Sequence, residues 1–266
     1  MYIEIMLNLR HELYGESVFT SFRTFEGKVF GKDLHLRRLY LAVKACYLLA
    51  DLSFEDFETY FNLESKLQYL NLANPDSYIR LTIYSSKVSS LSHFKFELSE
   101  LQLDIKIKDY QENVLGIKLK TESYPYSESY RPIKAGSYFQ QLLLRKEALA
   151  DGFDDVIFVG IDGQLLELST SNIIFKNTQG HFITPKGDYF LRGTTLTLFE
   201  NYCTERGLLF RVEDIKITDV KNLEAAFALN AVSIIKKIKS INSFEFKEND
   251  IDRLRSDFLK YLLEIS

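Results

Sequence analysis

Hydrophobic and polar positions change period several times along this chain, and each change predicts an element. In "SVFTSFRTFEGKVF" apolar and polar residues alternate on both sides of Glu26-Gly27, the pattern of a β-hairpin. "DLHLRRLYLAVKACYLLAD" switches to helical spacing. Leu36, Leu39, Tyr40, Val43 and Tyr47 share one face, and Asp33 stands where an N-cap belongs. "SFEDFETYFNLESKLQYLNL" repeats that spacing with Ser53 as its cap. Strand-like runs follow in "YIRLTIY", "FKFEL", "LDIKI" and "VLGIKLKTES". "YPYSESYRP" then breaks all periodicity with two of the four prolines, which predicts a linker over 123–132. The linker divides a smaller N-terminal domain, 1–122, from a larger one, 133–266.

The second half opens on "RPIKAGSYFQQLLLRKEALADG", with Lys134 at the mouth of a predicted helix that stops at Gly152. "DDVIFVGIDGQLLEL" reads as a strand, an Asp-Gly turn and a strand. "TSNIIF" and "HFIT" extend a sheet, and "GTTLTLFENYCTERG" is a helix ending at Gly207. "LLFRVED", "AAFALNAVSIIKKIKSIN" and a last amphipathic helix from about Asn249 complete the chain. Strands and helices mix without regular βαβ alternation, so the fold class is α+β rather than a doubly wound sheet.

Composition narrows the function classes. Apolar residues make up 46% and charged residues 26% of 266, an ordinary globular balance. With 33 basic against 37 acidic residues and no basic cluster, nothing marks a nucleic-acid binder. No run approaches the roughly 18 apolar residues of a membrane span. The N-terminus carries charges throughout, unlike a signal peptide. Cys46 and Cys203 have no CxxC spacing and read as free thiols in a reducing, cytoplasmic setting. The four histidines lack ligand spacing, so no metal site is expected.

Four places carry candidate chemistry. Lys134 lies where the chain turns, Glu167 ends a strand, Gly193-Thr194-Thr195 starts a helix, and Arg37-Arg38 sit in the first domain. Each has an ordinary explanation: a surface lysine, a solvent-facing strand glutamate, a capped helix, a surface ion pair. Together they suit pyridoxal 5'-phosphate. That group needs an amine for a Schiff base, an anion beside its ring nitrogen, and a cradle for its phosphate. A Gly-Thr-Thr helix start offers backbone N–H groups and a favourable dipole to the phosphate. An arginine adds charge-assisted hydrogen bonds.

In their order and spacing these motifs resemble the fold-type IV pyridoxal-phosphate enzymes, the family of branched-chain and D-amino-acid aminotransferases and aminodeoxychorismate lyase. The likeness runs from about Tyr14 to the end, through "GESVFTSFRTFEGKVFGKDLHLRRL", "IKAGSYFQQLLLRKEALADGFDDVIFVGIDGQLLELSTSNIIF" and "TPKGDYFLRGTTLT". The resemblance implies a two-domain fold like that of D-amino-acid aminotransferase, a homodimer, and a small-molecule substrate. It makes Lys134 the catalytic lysine that holds the cofactor and moves protons. Glu167 would bind the pyridine nitrogen, Tyr138 the ring hydroxyl, and Arg38 the phosphate, with Arg37 a neighbour. Leu191 would pack on the ring, and Thr194 and Thr195 would supply phosphate N–H groups. Thr20, Arg80, Asn230 and Ala231 would face substrate.

Two details choose the branch. The transaminases of the family commonly place Glu after the aromatic residue of the opening strand, where this chain has Thr20. Its Asn230-Ala231 is similar to the Asn-Ala of 4-amino-4-deoxychorismate lyases, although Lys237-Ile238 stands where a Pro-Val follows in them. The resemblance therefore implies a lyase that forms 4-aminobenzoate and pyruvate for folate synthesis, with an amino-acid aminotransferase as the alternative.

Overall fold

The computed structural model describes residues 9–73, 75–87, 92–111, 116–126, 133–188, 190–247 and 251–266. The chain packs as two units: Met1–Tyr110 with Ile133–Tyr138, and Gln111–Pro132 with Phe139–Ser266.

The first unit begins with a short helix α1 (Arg10–Tyr14) and the hairpin strands β1 (Ser17–Phe25) and β2 (Lys28–Val29). Glu26 and Gly27 both have positive φ, 50° and 76°. The two-residue connection between right-twisted strands requires this, and it is why Gly stands second. Helices α2 (Lys32–Tyr47), α3 (Phe54–Phe61) and α4 (Leu63–Ala73) follow, then β3 (Ser77–Ser85) and β4 (Leu101–Asp109). The sheet runs β2-β1-β3-β4, antiparallel throughout. Strand β3 alternates buried and half-buried residues along its whole length. One face is thus committed to the core, where Ile79, Leu81 and Ile83 join Val18, Phe22, Leu36, Leu39, Val43 and Tyr47.

The second unit contains β5 (Ile117–Ser123), α5 (Phe139–Ala150), β6 (Asp155–Val159), β7 (Leu165–Leu168), β8 (Asn172–Asn177), β9 (Phe182–Pro185), α6 (Thr194–Glu205), β10 (Phe210–Glu213), β11 (Leu223–Asn230), β12 (Ile234–Ile241), β13 (Phe244–Glu245) and α7 (Ile251–Glu264). Its nine-stranded sheet is ordered β10-β9-β8-β11-β12-β5-β6-β7, with β13 beside β12. The β9–β10, β12–β5 and β5–β6 pairs are parallel and the rest antiparallel, a mixed α+β sheet. Aromatic rings fix helix α6. Phe199 meets Phe182 and Phe258 edge-on, both at 5.1 Å between centroids.

Several sequence expectations move. Residues 117–122, assigned by sequence to the first domain, form β5 inside the second sheet, because β12 and β6 pair with it. Residues 133–138, assigned to the second domain, belong to the first unit. Four linker positions, 123–126, are described, and they continue from β5 in the second unit. "FKFEL" forms no strand. Its alternation comes from Phe96, buried edge-on against Tyr47 at 5.1 Å, while Phe94 is exposed. Asp33 lies in the first turn of α2 rather than at its cap, which is Gly31 at φ 65°. Ser53 does cap α3, accepting from the Asp56 N–H at 3.0 Å. Asn249 lies outside the described residues, and α7 is described from Ile251.

Candidate active site

Lys134 is held to the first strand of its unit, five residues ahead of α5. The Phe19 N–H donates to the Lys134 carbonyl at 2.9 Å, and the Gly136 N–H donates to the Ser17 carbonyl at 2.7 Å. Ala135 faces Val18 as a bridge partner. The sequence expectation of a lysine opening a helix is therefore corrected. Two backbone hydrogen bonds pin 134–136 to β1, and the helix starts at Phe139. A Cβ at Gly136 would meet Ser17 Oγ, so the segment lies close against β1.

Around the amine stand three aromatic and cationic groups. Lys134 Nζ donates to the Tyr138 hydroxyl at 3.3 Å and lies 4.9 Å from the centre of the Phe19 ring. The guanidinium of Arg80 stacks on that same ring at 3.5 Å and donates to Thr82 Oγ1 at 3.2 Å. Arg80, Phe19 and Lys134 thus sit on one aromatic platform, an electrostatically positive patch.

Arg38 reaches Thr20 from α2. Its Nη2 donates to Thr20 Oγ1 at 3.0 Å, and Thr20 Oγ1 is 2.7 Å from His35 Nδ1. Since the hydroxyl accepts from the guanidinium, its own hydrogen goes to His35, so Nδ1 is an acceptor. His35 is 1% exposed. Burial first, then the charges of Arg38 and Lys134, hold its pKa well below the ordinary histidine value. Burial also brings Arg38 down to about 10. Among the described residues no ion pair involves Arg38, and its Nε has no hydrogen-bond partner. A half-buried guanidinium whose Nε is shielded and which has no carboxylate beside it is a costly arrangement unless an anion completes it. Arg37, by contrast, is exposed, 4.9 Å from the Phe54 ring.

In the second unit Glu167 is the half-buried residue of β7, between buried Leu166 and Leu168. A tight turn follows, closed by the Leu168 N–H donating to the Ser171 carbonyl at 2.8 Å. Asn172, 4% exposed, comes next. Its Nδ2 donates to the Leu191 carbonyl at 2.7 Å, and its Oδ1 accepts from the Gly193 N–H at 2.8 Å. Gly193 is the N-cap of α6 and provides no side-chain cap. Thr194 and Thr195 are buried in the first turn. Helix geometry gives the first N–H groups no partner inside the helix, so such a turn attracts an anion.

The sequence reading placed Thr20 and Asn230 against substrate, and in the structure both have partners within the chain. Thr20 is 0% exposed, its hydroxyl taken up between Arg38 and His35. Asn230 is a turn builder. Its Oδ1 accepts from the N–H groups of Val232 and Ser233 at 3.0 and 2.8 Å and from Ser233 Oγ at 3.0 Å. Its Nδ2 donates to Ser171 Oγ at 2.9 Å. These bonds fasten a connection in which Ile234, a β-branched residue, is held at φ 62°. Ala231 lies half-buried in the same turn. His35 and Asn172 were not singled out as site residues by sequence. His35 carried a usable signal, a polar residue on the apolar face of α2. Among the described residues no His, Cys, Asp or Glu cluster could hold a metal, and no helix is long and apolar enough to cross a membrane.

The class IV amino-transferase family model matches residues 17–241. The chain belongs to that family. A probable branched-chain-amino-acid aminotransferase of Rickettsia felis is 27% identical, over 96% of this chain and 90% of its own length. Among solved structures, a "Putative 4-amino-4-deoxychorismate lyase" from Legionella pneumophila superposes with a TM-score of 0.82 at 19% identity, covering 98% of this chain and 96% of its own. A hypothetical aminotransferase from Mycobacterium tuberculosis in its PLP-bound form gives 0.76 at 15% identity, covering 98% and 95%. The fold is that of the fold-type IV enzymes. The cofactor of this class IV aminotransferase family is pyridoxal 5'-phosphate, and the residues present fit it. The chain holds an amine oriented by a tyrosine, a half-buried arginine whose Nε has no partner among the described residues, and a helix start whose N-cap is a glycine.

Proposed function

We propose that this class IV aminotransferase-family protein is a 4-amino-4-deoxychorismate lyase that forms 4-aminobenzoate and pyruvate. The observation that carries the choice is position 20. Where the transaminase pattern has a carboxylate, this chain buries the neutral hydroxyl of Thr20 against Arg38. The Asn230-Ala231 turn, held by the Asn230 side chain, supports the same branch.

When bound, the cofactor supplies an electron sink for the bond that breaks at the amine-bearing carbon of the substrate. This chain's residues do the rest. Lys134 would hold the cofactor through its amine and would be the base that takes the proton from that carbon. The Tyr138 hydroxyl, 3.3 Å away, orients the amine. Glu167 would keep the pyridine nitrogen protonated. Arg38 and the start of α6 at Thr194 and Thr195 would hold the phosphate, and Leu191 would cover the ring. Arg80, on the Phe19 platform, meets the substrate's negative charge. The enolpyruvyl group leaves as pyruvate while the ring becomes aromatic, so the reaction needs no second substrate.

A second reading, an amino-acid aminotransferase, is favoured by the curated relatives, which carry branched-chain aminotransferase names at 24–28% identity. One experiment separates the two. Purified protein given aminodeoxychorismate and no keto acid should release pyruvate and 4-aminobenzoate over many turnovers. Fast transamination of leucine or alanine with 2-oxoglutarate, without any aromatic product from aminodeoxychorismate, overturns the lyase in favour of the second reading.

A further inference from the structure

We propose that His35 is a positioning residue for Arg38, its ring taking the hydrogen of Thr20 so that the Thr20 hydroxyl presents a lone pair to the guanidinium. The inference rests on the reading that Arg38 holds the cofactor phosphate.

A hydroxyl both donates and accepts, and its hydrogen rotates to suit its neighbours. Thr20 is fully buried on β1 and meets two side chains of α2, His35 Nδ1 at 2.7 Å and Arg38 Nη2 at 3.0 Å. A guanidinium only donates, so the contact with Arg38 is favourable only while the Thr20 hydrogen points to His35. His35 Nδ1 also lies 3.4 Å from Arg38 Nη2. A hydrogen on Nδ1 would set donor against donor there, so the ring that fits is the neutral one with Nδ1 unprotonated. Burial, and after it the charges of Arg38 and Lys134, favour that neutral ring.

The ring is itself held in place. It packs edge-on against Phe22 at 5.2 Å between centroids, and its position three residues before Arg38 puts both side chains on one face of α2. The guanidinium is a rigid planar fork. Fixing Nη2 therefore restricts the plane and the directions of the other N–H groups, among them the Nε–H that has no partner among the described residues. A carboxylate at position 20 would orient the arginine too, but it would also neutralise it. The neutral pair of Thr20 and His35 orients the guanidinium and leaves its charge for an anion.

The test titrates apo-protein with pyridoxal phosphate and, separately, with pyridoxal, which has the same aldehyde and ring but no phosphate. His35→Phe keeps a ring against Phe22 and removes the acceptor. It should bind pyridoxal phosphate about fivefold more weakly, the worth of one neutral hydrogen bond, with pyridoxal binding unchanged. His35→Gln, which keeps an acceptor, should bind both probes as the wild type does. Thr20→Val combined with His35→Phe should be no worse than Thr20→Val alone. A second arm does not depend on any variant's folding: nitrogen NMR of histidine-labelled apo-protein should show His35 Nδ1 unprotonated. The positioning role is overturned by equal losses for the two probes, by unchanged binding in His35→Phe, or by a further loss in the pair. A His35→Gln as weak as His35→Phe, or a protonated Nδ1, overturns it too. If Arg38→Ala leaves the preference for pyridoxal phosphate over pyridoxal intact, the phosphate reading itself fails, and the proposal with it.

Discussion

Arg38 Nη2 donates to Thr20 Oγ1 at 3.0 Å, across 18 residues of sequence, and this contact joins the opening strand to helix α2. Thr20 passes its own hydrogen to His35, so the guanidinium is positioned by two neutral groups and neutralised by neither. The contact predicts a graded outcome. Thr20→Val should weaken pyridoxal phosphate binding to apo-protein roughly ten- to hundredfold, the value of one hydrogen bond to a charged group. Thr20→Ser should restore it, and Arg37→Ala should leave it unchanged, because Arg37 points outward over Phe54. Equal weakening by Thr20→Val and Arg37→Ala would show that the register of α2 does not place Arg38 at the phosphate.

His35 gives a pH-dependent stability with a definite sign. Its folded pKa lies below the ordinary value of about 6.5, so below that pH the unfolded chain binds a proton that the native chain refuses. Stability from this residue is complete above about 6.5 and falls as the solution is acidified, by at most about 1.4 kcal/mol per pH unit. Thermal melts of apo-protein between pH 7.5 and 5 should therefore drop more steeply for the wild type than for His35→Gln, which keeps an acceptor for Thr20 without titrating. Parallel curves would mean that His35 is charged in the folded state.

Lys134 is the predicted covalent attachment point. Protein purified with cofactor should be yellow, and borohydride should fix the cofactor on Lys134, as peptide mass spectrometry would locate it. Lys134→Ala should take up no adduct. An adduct on another lysine of the wild type, or none, removes the assignment on which the mechanism stands.

Much of this arrangement was legible in the chain, for identifiable reasons. The Glu26-Gly27 hairpin, the Ser53 cap and the Asp162-Gly163 turn are local, and local chemistry determines them. The four-residue step from Lys134 to Tyr138 survives because one short segment carries both. What sequence missed is non-local. Lys134 was read as a helix opener because its pairing with Ser17 and Phe19 lies more than a hundred positions away. The partners of Thr20 and Asn230, Arg38 and Ser171, are 18 and 59 residues off and no local pattern names them. Strand β5 looked like part of the first domain because nothing in its own seven residues names β12 or β6 as neighbours.

Glu167 carries the prediction that most directly separates a working site from a solvent-facing strand residue. It is the half-buried position between two buried leucines, so its carboxylate is displayed from a rigid strand. The turn behind it is closed by Leu168 and Ser171 and tied through Asn172 to the start of α6. A carboxylate there can keep a proton on a pyridine nitrogen, and the protonated ring draws electrons from the reacting carbon. Glu167→Gln keeps the size and one acceptor while removing the charge, so folding and the borohydride adduct on Lys134 should persist. Turnover should fall by ~10²-fold or more, the usual result of losing one preorganised electrostatic partner. Because the loss lies in the chemical step, kcat should fall with little change in KM. A variant with normal turnover would place Glu167 outside the reaction, and a variant that loses the adduct as well would assign it to cofactor binding instead.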